Sequence, residues 1–114
     1  TVFMSSYHHD ALQLAKSKCP ELLLAPERLP DDAPADPPEA VRQAKSFPAP
    51  VLQHQYTVLT ADVVRVLHES DIAVWSWSTN DESSLVFSIE AGADALMGDD
   101  VKLMLEILNQ MRPV

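Results

Sequence analysis

Glycine is nearly missing from this chain: only Gly92 and Gly98 occur in 114 residues. Loops that cradle phosphates between backbone N–H groups need several glycines at fixed offsets, so the G-x-G-x-x-G and P-loop classes are excluded. Cysteine is a single residue, Cys19, which rules out an internal disulfide framework. It fits a reducing compartment and also a simple periplasmic protein, the cytoplasm being favoured. Just before Pro20, at the end of a predicted helix, Cys19 is expected to pack. No apolar run approaches ~20 residues, so no membrane span is expected. Positive charge is scarce as well: 8 Lys and Arg against 17 Asp and Glu give a net charge of −9. Phosphate contacts need Lys and Arg clusters, so nucleic acid is excluded as a partner, and the acidity reads as solubility.

Length sets a further bound. At 114 residues the chain is one domain over 1–114, with room for a core but about half the ~250 residues of a complete (β/α)8 barrel. It opens on Thr1 with residues that already read as strand and with no signal or transit sequence ahead of them, so a fragment or processed product is expected.

What is present is a run of strand and helix signals in alternation. Val2-Phe3-Met4 with Ser5-Ser6 predicts a strand, and a helix follows from about His9 to Lys18, with Ala11, Leu12, Leu14 and Ala15 inward. Pro20 stops it, and Glu21–Ala25 reads as a strand buried on both faces. Residues 26–38 are rich in Pro and Asp and predict an exposed loop, with Pro37-Pro38 opening a short helix through Ala40, Val41 and Ala44. Pro48 and Pro50 bracket the entry to a strand over Val51–Tyr56. Thr60 caps a helix that turns Val63, Val64, Val66 and Leu67 inward and Arg65 and Glu69 outward. The apolar run Ile72-Ala73-Val74-Trp75 ends in Trp77-Ser78-Thr79-Asn80. A helix then starts at an Asn80 or Asp81 cap, carries Leu85, Val86 and Ile89, and stops at Gly92. Gly92–Met97 is the last strand, and a helix from about Asp99 to Met111 follows, with Val101, Met104, Leu105 and Leu108 at helical spacing and Pro113 ending it. Strand, helix, strand within one repeat implies parallel pairing with a right-handed crossover. The fold class is therefore α/β, parallel β/α units forming about half of a TIM-type (β/α)8 barrel.

Three segments carry a family resemblance. Trp77-Ser78-Thr79-Asn80 resembles the Trp-Thr-Val-Asn signature of the glycerophosphodiester phosphodiesterase family. Gly92-Ala93-Asp94-Ala95-Leu96-Met97-Gly98-Asp99 resembles its closing Gly-Val-Asp-Gly-Ile-Ile-Thr-Asp, and Ser6-Tyr7-His8-His9-Asp10-Ala11-Leu12 is similar to its Ser-Phe-x-x-x-x-Leu junction. Order and spacing hold over nearly the whole chain, but only for the second half of the family's barrel. Gly98 stands where the family has Thr, and Val101 where it commonly has Pro.

The resemblance implies a glycerophosphodiester as small-molecule substrate, cleaved to an alcohol and glycerol 3-phosphate. It also implies a divalent metal, Mg or Ca, for the complete enzyme. The family's metal-binding and acid–base groups lie in its first half, so no catalytic residue and no metal ligand is expected here. Pocket-shaping roles are implied for Trp77, Asn80, Ser6 and Tyr7. Gln55 joins them because an amide pair, Gln53 and Gln55, on one strand face must be hydrogen-bonded and so favours a polar mouth. Asn80 also suits a helix cap, and Trp75 a core position. His8, His9 and Asp10 read as a solvated turn, since adjacent residues there point apart. Asp99 and Asp100 favour capping over anion binding, and His68 is expected at the surface.

A half barrel leaves strand edges and an apolar inner face open, which invites self-association or pairing with an N-terminal half barrel. Two other readings stay open: a non-catalytic half barrel serving as an oligomerisation or small-ligand-binding module, and another phosphate-handling barrel.

Overall fold

The structure is a computed structural model and describes residues 3–29, 36–46 and 49–111. Val2, Pro48, Pro113 and residues 30–35 of the expected acidic loop lie outside the described residues. Among the described residues five strands alternate with five α-helices: β1 (Phe3–Met4), α1 (His9–Lys18), β2 (Leu23–Leu24), α2 (Pro37–Lys45), β3 (Val51–Gln55), α3 (Ala61–Glu69), β4 (Ala73–Trp77), α4 (Glu82–Ala91), β5 (Ala95–Met97) and α5 (Val101–Met111).

Every strand pair is parallel and joins neighbours in the chain. Phe3 lies against Leu23, Val51 against Ala73 through to Gln55 against Trp77, and Trp75 against Ala95. The β1–β2 pair and the β3–β4–β5 sheet are joined by a parallel bridge between Glu27 and Gln53. There Gln53 N donates to Pro26 O at 2.9 Å and Arg28 N to Gln53 O at 2.8 Å. The result is one curved wall in the order 1-2-3-4-5, about half of a (β/α)8 barrel.

The core lies between this wall and its helices. Leu52, Val74, Val63, Val64, Leu67, Leu59, Ala40 and Ala44 form the main cluster, Leu12 and Leu24 a second, and Leu85, Ile89 and Ile107 a third. Three helix starts are capped by side chains, that of α5 by Asp100, whose Oδ1 accepts from Leu103 N at 3.0 Å as expected for this turn. Thr60 accepts from Val63 N, and Asp81, not Asn80, forms a capping box with Ser84. Gly92 ends α4 at φ 97°, a left-handed position that suits glycine. Buried Ser76 and Ser88 satisfy each other across β4 and α4 at 2.8 Å.

Several expectations are corrected. Tyr56 belongs to a 3-10 turn over Tyr56–Val58, so β3 ends at Gln55. Pro26–Leu29 is no free loop: its backbone follows β3, and Leu29 N donates to the buried Gln43 amide at 2.7 Å. Leu14, Val101 and Leu105 are exposed, and Ile107 is the buried residue of α5. Without a second layer of protein outside them, α1 and α5 bury only one narrow stripe each. Cys19 is exposed, because it lies past the last turn of α1 and clear of the Leu12–Leu24 cluster.

His54 is fully buried on the helix side of β3, and neither ring nitrogen has a hydrogen-bond partner of ordinary geometry among the described residues. Burial, reinforced by the nearby Arg28 charge, pulls its pKa down to about 3. The unfolded ring takes up a proton near pH ~6.5. Its contribution to stability is therefore intact above that pH and is lost progressively as pH falls toward about 3. The expected outcome is that His54→Leu narrows the loss of melting temperature between pH ~7.5 and pH ~4.5 relative to the parent chain. Equal losses in thermal melts of the two chains would remove His54 as the source.

Candidate functional site

Side chains alternate across a strand, so residues two apart on β1, β3 and β4 share the concave face of the wall. They meet in tiers. Phe3 and Trp75 meet at the bottom with ring centroids 5.0 Å apart and planes tilted by 59°. Above them the buried Gln53 amide donates to Ser5 Oγ at 2.6 Å and to Ala25 O at 2.5 Å. At the carboxyl end, where barrels of this type present their ligand-contacting groups, Tyr7 meets Trp77 edge to face, 6.3 Å and 83°.

Of the residues expected at the pocket, Tyr7 and Trp77 are brought together. Gln55 is paired in register with Trp77 and exposed at the end of β3. Ser6 is occupied by the backbone. Its hydroxyl accepts from His8 N at 2.9 Å, which turns the chain into α1, and its carbonyl accepts from Glu27 N at 3.1 Å. Asn80 stands apart from the aromatic pair. Its Oδ1 accepts from Asp99 N at 2.8 Å, while Thr79 Oγ1 donates to Met97 O at 2.9 Å. These bonds tie the loop after β4 to the loop after β5, around a cleft of about 300 Å³ lined by Ser78, Asn80, Met97, Gly98 and Asp99. Ser78 holds a left-handed φ of 61°, which turns the chain sharply away from Trp77.

Glu27 is the site residue that the sequence reading misses. Its carboxylate lies on the concave face, with Oε1 3.4 Å from Ser5 Oγ. Oε2 and the Trp77 indole Nε1 are both buried without a hydrogen bond of ordinary geometry among the described residues. Burial raises the Glu27 pKa, while the neighbouring Trp77 indole and Ser5 hydroxyl pull it down. Tyr7 is raised too, by burial and then by the Glu27 charge. The sequence signal that finds Glu27 is alternation: with Leu24 packed on Leu12 behind the wall, Leu23, Ala25 and Glu27 fall on the other side.

Arg28 points the opposite way. It is buried behind the wall near His54, with Nη2 donating to Asp36 O at 3.1 Å. His68, 42% exposed, pairs with Asp94 at 2.7 Å, and the same carboxylate accepts from Val74 N at 2.8 Å. His9 Nε2 lies 2.8 Å from Glu27 O. Among the described residues no three His, Cys, Asp or Glu side chains form a group able to hold a metal ion, so these residues do not fit a metal centre.

A concave wall of parallel strands with its polar and aromatic groups at the carboxyl ends defines a partial TIM-type barrel. The sequence model of the glycerophosphoryl diester phosphodiesterase family matches residues 1–103, and the chain belongs to that family. The curated proteins contain no match to it. Among solved structures it is similar to a protein from Silicibacter pomeroyi assigned as a glycerophosphoryl diester phosphodiesterase, with TM-score 0.81 and 17% identity over 96% of this chain. A Galdieria sulphuraria protein assigned likewise gives 0.77 and 21% over 96%. An Oleispira antarctica phosphodiesterase in complex with the product sn-glycerol-3-phosphate gives 0.80 and 20% over 94%. The chain spans 38%, 43% and 41% of those three chains.

Gly98 tests how tightly the β4 and β5 loops are tied. A Cβ there would press on the Thr79 carbonyl and lie 3.0 Å from Asn80 Oδ1. Gly98→Ala is expected to cost about 1–3 kcal/mol in urea unfolding, because neither partner can retreat without breaking the Met97 or Asp99 hydrogen bonds. A neutral substitution would mean that the tie is loose.

Proposed function

We propose that this chain is the carboxyl-terminal part, residues 1–114, of a glycerophosphodiester phosphodiesterase. Its complete barrel would hydrolyse glycerophosphodiesters, the head groups of deacylated phospholipids, to an alcohol and glycerol 3-phosphate. The observation that carries this reading is Trp77. It stands at the carboxyl end of β4, edge to face with Tyr7, on the concave side of a wall that belongs to this family. The product bound to the Oleispira antarctica relative supports the choice of ligand class.

In the proposed reaction water adds to phosphorus, the bond from phosphorus to the alcohol oxygen breaks, and the departing alkoxide takes a proton. In the complete enzyme a divalent cation, Mg or Ca, would supply charge neutralisation at the phosphoryl oxygens, and no described residue of this chain would hold it. Its ligands and the acid–base groups are assigned to the half barrel outside this chain. The residues of this chain would shape the substrate side. Trp77 and Tyr7 offer apolar faces to the carbon skeleton, Gln55 a hydrogen bond at the rim, and Ser6 and Asn80 hold the loops that frame the opening. The exposed edges and face of the wall, with Phe3 39% and Met4 37% exposed, suit pairing with an N-terminal half barrel or with a second copy.

Release of glycerol 3-phosphate from a glycerophosphodiester by the protein carrying the complete barrel tests the reading. Activity is expected to vanish with a chelator and return with Mg or Ca. Trp77→Ala is expected to raise KM about tenfold with a smaller effect on kcat, since it removes contacts common to ground and transition states. No release of glycerol 3-phosphate from any diester tried would favour the alternative, a non-catalytic half barrel used for oligomerisation or ligand binding. The chain by itself is expected to scatter light as a dimer or larger at high micromolar concentration; a monodisperse monomer would argue against the pairing.

A further inference from the structure

Glu27, Tyr7 and Trp77 form a combination that hydrolysis of a diester with an uncharged alcohol does not need. Two aromatic rings stand at 83° to each other with centroids 6.3 Å apart. A carboxylate lies beside both, one oxygen 3.4 Å from Ser5 Oγ and the other buried next to the Trp77 indole N–H without a hydrogen bond of ordinary geometry among the described residues. Tyr7 is 49% exposed, so the corner opens outward on its side. A glycerol hydroxyl could be served by Gln55 or Ser5 alone. Aromatic faces beside a half-buried carboxylate are chemically matched to a different group. A quaternary or primary ammonium is drawn to the ring faces by their quadrupole and to the carboxylate by charge.

We propose that Tyr7, Trp77 and Glu27 make a cation site at the mouth of the wall, which receives the ammonium of an amino-alcohol. As specificity for the leaving alcohol of a diester, this rests on the phosphodiesterase reading; the binding of the ammonium itself does not. The net charge of −9 favours a cation at this mouth over an anion. Glu27 then has a reason to sit, at a desolvation cost, beside an indole and a phenol instead of in water. The cation supplies the charge partner that the described residues do not.

The experiment titrates the chain with choline and, separately, with 3,3-dimethylbutan-1-ol, its uncharged isostere, and follows tryptophan fluorescence at low ionic strength. Choline is expected to quench saturably and the isostere to bind at least tenfold more weakly. Glu27→Gln is expected to weaken choline about tenfold and leave the isostere unchanged. Tyr7→Leu keeps the carboxylate and guards against a misfolded Glu27 variant; it is expected to weaken choline severalfold. Equal affinity for choline and its isostere, or choline binding untouched by both substitutions, would overturn the cation site. The complete barrel separates this from the activity. Equal kcat/KM for glycerophosphocholine and glycerophosphoglycerol sinks the cation site and keeps the phosphodiesterase. Choline binding without hydrolysis of any diester does the reverse.

Discussion

Gln53 is the joint on which the wall depends. Its backbone gives and receives the two hydrogen bonds that fasten the segment after β2 to β3. Its side-chain amide reaches across the same seam to Ala25 O and to Ser5 on β1. Two sheets of two and three strands thereby become one surface, and the curvature that brings Tyr7 over Trp77 follows from it. An apolar residue here would pack against the helices no better, since Gln53 faces the other way. It would also leave Ala25 O without its side-chain donor in a buried place, at a cost of about 1–3 kcal/mol, and release the exposed Ser5 hydroxyl to water. The buried amide is therefore structural first, and the polar mouth is built on top of it.

The order of strands and helices was legible because two periods alternate along the chain. Runs such as Val51–Gln55 and Ala73–Trp77 read at period two, while Val63, Val64 and Leu67 read at period 3.6, with Thr60 and Gly92 as punctuation. The helix faces were less legible. In α1 and α5, apolar residues surround more of the helix than the fold covers, so periodicity alone could not tell buried Ile107 from exposed Leu105. The Asp81 cap was ambiguous for a similar reason: Asn80 and Asp81 are both good caps, and only the bond from Asp99 N to Asn80 Oδ1 separates their roles.

At the mouth, the aromatics announced themselves through motif and strand parity, whereas Glu27 did not. It lies in a segment whose prolines and acids read as loop, and its strand character comes from pairing with a residue 26 positions later, Gln53. Pairing of that kind is a tertiary fact that local propensity does not contain. Pro26 keeps its place there because it offers only its carbonyl to β3 and needs no donor. The His68–Asp94 pair was hidden in the same way, being made between α3 and the approach to β5.

The ladder has a consequence for how the chain assembles. Paired residues lie 20 to 26 positions apart, across one helix, so the loops to be closed are short and of similar length. Such a wall can grow by addition of one unit to the next, with little entropic barrier at any step. Its β3–β4–β5 portion holds the longest register and the largest buried cluster, and makes the natural nucleus. Synthesis on the ribosome delivers those residues after β1 and β2. The β3–β4–β5 portion would then serve as the template onto which the two earlier strands, already emerged and waiting, are recruited.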